Sequence, residues 1–385
     1  MNAALIAIGQ AGGKIAEALM AYERASETSF LTETIAVNTA KADLVSLERV
    51  PLENRVLVGQ SRVKGHGVGA DNRLGATVFQ EDIDEVMNAV DDVPLHDVDA
   101  FFVVAALGGG TGSGGAPVVA RELKRVYTEP VYAIGALPSR DEGGIYTLNA
   151  ARSFRALVDE VDNAVLFDND AWRQSGESLA VGYDRINEEM ARRIGVLLSA
   201  GEVGAETTPQ KIVDASEIIN TLATGGITTI GYATSQLERR QRGLFGRSRG
   251  SVDESEAINR ILSTTRRAAL GRLTLPCEIT SAERGLVVVS GPPEYLNRSG
   301  IEDAQRWLEE ATGTMEIRGG DYPVRDTNYV ASLVVLSGVT DVPRITELQR
   351  VAVETQRTMT ELSERAPKAL EDLLWEGGDE LEPLF

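Results

Sequence analysis

Gly108, Gly109, Gly110, Thr111, Gly112, Ser113 and Gly114 put five glycines and two small hydroxyls in seven consecutive positions. Without a Cβ in the way, backbone N–H groups can approach an anion closely. The run follows an apolar stretch at 101–107 that reads as a buried strand, and residues 118–127, beyond Pro117, read as a helix. Strand, glycine turn and helix start together make a phosphate site, because unpaired N–H groups and the helix dipole both favour negative charge. The competing explanation is a flexible surface loop, but such loops seldom sit between a buried strand and a helix.

Two common phosphate motifs do not fit. The only Gly-Lys pair, Gly13-Lys14, is followed by Ile15, which breaks the Walker pattern, and Gly65-His66-Gly67 meets Ala70 where the dinucleotide fingerprint needs glycine. Two further glycine turns can serve the same ligand. Gly9, Gln10, Ala11 and Gly12, with Lys14 close behind, follow an opening strand at 3–8 and begin a helix. The loop 65–75 carries glycines at regular spacing and includes Gly69, Ala70, Asp71 and Asn72. His66 suits a loop hydrogen bond better than catalysis.

The elements that position these turns alternate strand and helix. Strands are expected at 3–8, 34–37, 101–107, 131–136 and 163–167, with helices at 13–22, 81–90, 118–127 and 146–160. That alternation predicts an α/β fold with a parallel, doubly wound sheet whose ligands gather at the carboxyl ends of the strands. A long helix at 183–199 follows, with Ile186, Met190, Ile194, Val196 and Leu197 roughly in phase. Strands at 227–233, 273–279, 285–290 and 330–336, with helices near 254–270 and 302–312, suggest a second, mixed α/β domain. A terminal helix is expected over 345–374, bent or broken at Pro367.

The 385 residues suit two domains, with 43% hydrophobic and 5% aromatic residues. A net charge of −20 argues against nucleic-acid binding, which needs a positive footprint. Six lysines stand against 32 arginines, a composition that suits a high-salt interior. The single cysteine, Cys277, rules out an intrachain disulfide framework and suits a reducing cytoplasm. Neither a basic leader nor a bilayer-length apolar run is evident, so a cytoplasmic, non-transmembrane protein is expected.

At this point the chain resembles the tubulin/FtsZ superfamily, most closely the CetZ branch of haloarchaea. The run 108–114 is similar to the family's glycine motif in its serine form, and residues 9–12 to the tubulin version of the first phosphate loop. Loop 65–75 resembles the γ-phosphate loop of FtsZ. Asn38, in Asn-Thr-Ala-Lys-Ala-Asp, resembles the family's Asn-Thr-Asp loop, with Ala40 replacing the aspartate. The resemblance implies GTP/GDP as ligand, with Mg²⁺ held by phosphates and water. It also implies guanine reading by Asn169 and Asn187, since paired amides can recognise the guanine edge. Tyr183 would stack on the base, Glu142 would meet the ribose, and Arg140 would be another loop contact.

Residues 213–218 resemble the acidic loop that this family places against the nucleotide of the next subunit, with Ile212 in place of its leading asparagine. Asp214 and Glu217 are therefore the expected catalytic pair, although Asp214 also suits a helix cap. The implied organisation is a GTPase domain at 1–182, a central helix and connection at 183–208, and a second domain at 209–343 containing the catalytic loop 212–220. A C-terminal helix at 344–376 and an acidic tail at 377–385 complete it. Self-assembly head to tail and cell shape control are the implied roles. A division-ring polymer, a non-polymerising nucleotide-binding regulator and a nucleotide-dependent metabolic enzyme are the alternatives. FtsZ-like adaptor binding is not expected of the brief tail, and the basic stretch 239–249 suits a lateral filament or anionic membrane contact, or only a solvated loop.

Overall fold

Ten strands pair into one sheet in the computed structural model, which describes residues 1–174, 176–200, 211, 213–237, 253–325 and 327–375. They are β1 (Ala3–Ile8), β2 (Leu31–Asn38), β3 (Arg55–Leu57), β4 (Ala100–Ala106), β5 (Val131–Leu137), β6 (Asn163–Asp168), β7 (Ile227–Gln236), β8 (Arg284–Gly291), β9 (Ile317–Pro323) and β10 (Tyr329–Ser337). Their order across the sheet is 3-2-1-4-5-6-7-10-8-9. Pairings from β3 through β7 are parallel, β10 runs antiparallel to both β7 and β8, and β9 is parallel to β8.

Both faces of the central strands are covered, as continuous apolar strands require. Along β4, Phe101 and Val103 enter one core while Phe102 and Val104 enter the other. The helix Leu179–Ser199 buries the expected stripe of Ile186, Met190, Ile194 and Leu197 against one face. Its Gly195 lets the Tyr22 ring of the helix Gly9–Ser26 lie against it, since a Cβ there would stand 2.2 Å from the ring. The strands beyond the central helix extend the first sheet through Ala164–Ile227 and Val165–Thr228.

Several local expectations change. Residues 273–279 do not form a strand; only Leu273 bridges Gly231. Pro276 has no N–H for a ladder, and Leu275 N–H turns instead to the Thr229 hydroxyl at 3.0 Å. β9 escapes the pattern because Gly319 and Gly320 interrupt its apolar alternation. A Cβ on Gly320 would stand 2.3 Å from the Lys211 carbonyl oxygen. The expected helix 81–90 forms as Ile83–Asp91, and a further helix, Asn72–Glu81, precedes it across Asp82, whose carboxylate accepts from Gly59 N–H at 2.6 Å. The C-terminal helix Pro343–Trp375 continues through Pro367. One proline there removes a single hydrogen bond without ending the helix. The tail 376–385 and the basic stretch 239–249 lie outside the described residues.

Candidate functional site

Two helices begin at the carboxyl ends of neighbouring strands without a side-chain cap and without an acidic residue in the first turn. Gly9–Ser26 follows β1, and Thr111–Val126 follows β4. The second helix starts at Thr111 rather than at 118, so part of the glycine run is its first turn. Left uncapped, the first N–H groups of both helices form an anion site. The helix Asn72–Glu81 differs: Asp71 caps it, accepting from Arg73 and Leu74 N–H at 3.0 Å each.

Between these helix starts opens a cleft with a cavity volume of about 810 Å³. One end is lined by Gly9, Gln10, Ala11, Lys14, Gly69, Ala70, Gly108, Gly109, Gly110, Thr111 and Gly112, and the other by Glu142, Asn169, Tyr183 and Asn187. Gly9 has φ +76°, and its Cβ would stand 3.0 Å from Gly112 N, so a side chain would wedge the two glycine turns apart. At the far end Asn169 is buried, and neither its amide nor that of Asn187 bonds another described side chain or backbone group. The Tyr183 hydroxyl lies against Glu142; burial first, then that carboxylate, push the phenol up to about 12. Glu142 also closes a capping box with Ser139, accepting from its N–H at 2.7 Å.

Seven expected contacts do not line this cleft: Gly12, Asn38, Asp71, Asn72, Ser113, Gly114 and Arg140, of which Asp71 and Asn72 line an adjoining pocket that shares Gly69 and Ala70 with it. Gly12 and Gly114 serve close packing, their Cβ positions falling 2.4 Å from the Val104 and Asn72 carbonyl oxygens respectively. Ser113 turns its hydroxyl back to the Gly109 carbonyl. Arg140 is engaged by Asp170 and by Glu347 of the C-terminal helix. Asn38 donates to Asp43 at 3.2 Å.

Other residues escaped the sequence reading. Asp43 lines the cleft, so a carboxylate is present three positions beyond Ala40. Thr39 meets Thr111 hydroxyl to hydroxyl at 2.7 Å. Asn149, 1% exposed, donates to the Ala70 and Gly108 carbonyls at 2.7 and 3.0 Å. No spacing rule signals a clamp between segments 79 and 41 residues away.

Asp214 and Glu217 do not line the cleft. Asp214 caps the helix Ala215–Leu222, accepting from Glu217 N–H at 3.0 Å. Glu217 pairs with Arg318 at 2.8 Å, near the start of β9. By the pairings above, β9 runs parallel to β6, so its start lies at the end of the sheet opposite the cleft. A six-residue strand separates the two ends by about 20 Å.

Residues 2–177 match the model described as "Tubulin/FtsZ family, GTPase domain", and residues 176–354 match "Tubulin-like CetZ, C-terminal domain". The chain belongs to the tubulin/FtsZ family. Within this family it is 62% identical to tubulin-like protein CetZ3 of Haloferax volcanii over the full length of both chains. A GDP-bound CetZ1 monomer from Haloferax volcanii superposes with a TM-score of 0.84 at 56% identity, covering 92% of this chain and 100% of that one. A GTPγS-bound CetZ2 protofilament structure from the same organism gives 0.83 at 45% identity, covering 94% and 100%. The tubulin/FtsZ fold thus places the glycine turns in its GTPase domain.

Proposed function

We propose that this chain binds GTP in the cleft, hydrolyses it on head-to-tail association, and forms filaments that control cell shape. One observation carries the shared-site reading: the cleft and the Asp214–Glu217 pair lie at opposite ends of one sheet. A single copy cannot bring its own carboxylates to its own nucleotide, whereas stacking in one direction brings those of one copy to the cleft of the next. Such a heterologous contact builds open filaments. Phosphoryl transfer then needs only an oriented water and neutralised phosphate charge. The two uncapped helix starts supply the neutralisation, and Glu217 orients the water.

The GDP and GTPγS in the two CetZ structures support a guanine nucleotide as ligand. Asn169 and Asn187 would read the base, Tyr183 would stack on it, and Glu142 would meet the ribose. Magnesium fits as a companion of the phosphates, close to Asp43 and Thr111. Among the described residues no group of three or more His, Cys, Asp or Glu could hold it alone, and Mg²⁺ commonly relies on phosphates and water. No helix among the described residues is long and apolar enough to cross a membrane, and we place the polymer in the cytoplasm. Residues 239–249 would make lateral or anionic-lipid contacts. Neutralising Arg239, Arg240 and Arg242 should loosen sheets or vesicle binding and spare single filaments.

The decisive experiment measures GTP turnover against protein concentration, with electron microscopy of GTP and GDP samples containing Mg²⁺ and high salt. Specific activity should rise with concentration, and filaments should form with GTP. Hydrolysis by monomer at a concentration-independent specific rate would overturn the shared site.

A further inference from the structure

The first turn of the C-terminal helix is tied into both loops at the base end of the cleft. Arg344, 6% exposed, donates to the Pro138 carbonyl at 2.7 Å and pairs with Asp168 at 3.3 Å and Glu347 at 3.2 Å. Glu347 accepts two bonds from Arg140, at 2.7 and 2.6 Å. Arg140 in turn gives its backbone N–H to Asp170 at 3.0 Å, and its guanidinium pairs with the same carboxylate. Asp168 and Asp170 flank Asn169, while Pro138 and Arg140 precede Glu142. None of these five charged side chains lines the cleft.

We propose that Arg344 is a positioning residue for base recognition, making the C-terminal helix a determinant of guanine selectivity from outside the cleft. The inference rests on the reading that Asn169 and Asn187 recognise guanine. One planar guanidinium holds the carboxyl ends of β5 and β6 at a fixed separation through Pro138 and Asp168. A lysine keeps the charge but cannot reproduce that fork. An amide reading a base edge tolerates only small displacement, whereas the phosphates are held separately by the glycine turns. Loosening this tie therefore costs most where geometry is most demanding, at the guanine exocyclic amine. By linkage, bound nucleotide strengthens docking of the helix start.

The test compares GDP and IDP, which differ by that amine, in titrations of the full chain and its Arg344→Lys variant. Wild type should prefer GDP, and Arg344→Lys should lower the preference by about tenfold, as expected when a site built to bond a polar group loses its alignment. IDP affinity should change less than about twofold. Equal loss for both nucleotides, or an unchanged preference, would overturn the positioning role. A wild type without preference would overturn the guanine reading itself, a result distinct from failure of the variant alone. Should Arg344→Lys not fold, hydrogen exchange on wild type decides: added GDP should protect amides 343–348, and unchanged exchange there would overturn the coupling.

Discussion

Asn149 donates from one buried amide to the Ala70 carbonyl at 2.7 Å, holding a residue whose φ is +63°. A non-glycine residue in that left-handed region costs about 1 kcal/mol or more and persists only when its surroundings fix it. Because the same amide reaches Gly108, it fixes the loop 65–75 against the glycine run. Asn149→Ala should destabilise the fold by about 1–3 kcal/mol, the range for unsatisfied buried polar groups. GTP affinity should fall by about tenfold as the two turns separate. Urea unfolding and fluorescent-GTP titration check the two effects, and unaltered GTP binding would refute the clamp.

Glycines in one motif should fail differently. A Cβ on Gly114 would stand 2.4 Å from the Asn72 carbonyl oxygen and 2.5 Å from Ala76 N, whereas Gly109 faces open space and lines the cleft. Gly114→Ala should therefore lose about 1–3 kcal/mol of stability, as overpacking does. Gly109→Ala should keep its melting temperature and lose GTP affinity. Calorimetry with GTP titration separates the two, and a reversed pattern would contradict the packing.

Glu217 is 43% exposed on the side-chain surface and pairs with Arg318. An ion pair so open adds little stability, so Glu217→Ala should fold, bind GTP and assemble. Turnover should fall by about a hundredfold or more, the scale of losing the group that orients the attacking water. Mixed with Gly109→Ala, it should recover part of the turnover, because each variant supplies the half-site the other lacks. No recovery in filaments shown to contain both variants would count against catalysis in trans.

Acid should loosen the base end before it unfolds the chain. Burial pushes the Asp168 carboxyl up to about 6, with Arg344 pulling it down and Asp170 pushing it up. A raised folded value means that this group's contribution to stability is full below about pH 4 and is lost as pH rises through about 6. Glu347, held at about 2 chiefly by its bond with Arg140, behaves oppositely, its contribution being lost only as pH falls towards 2. Between pH 7 and 5, protonation of Asp168 weakens its pair with Arg344 while neither group favours unfolding. The preference for GDP over IDP should therefore fall through about pH 6, and Asp168→Asn should remove that pH dependence. An unchanged wild-type profile would exclude this control.

The sequence by itself determined which residue types could meet a phosphate and the alternation that builds the parallel half of the sheet. Glycine runs after apolar strands state their chemistry locally, because backbone freedom and helix starts depend on neighbouring residues. Tertiary structure decided how each residue is used. Gly12 and Gly114 lie where an added Cβ would meet the Val104 and Asn72 carbonyl oxygens, and Arg140 pairs with Asp170 and Glu347. Asn149 and Arg344 carried no sequence signal because their partners arrive from distant segments. Only the sheet pairings placed Asp214 and Glu217 opposite the glycine run, since strand direction emerges when the whole sheet is assembled.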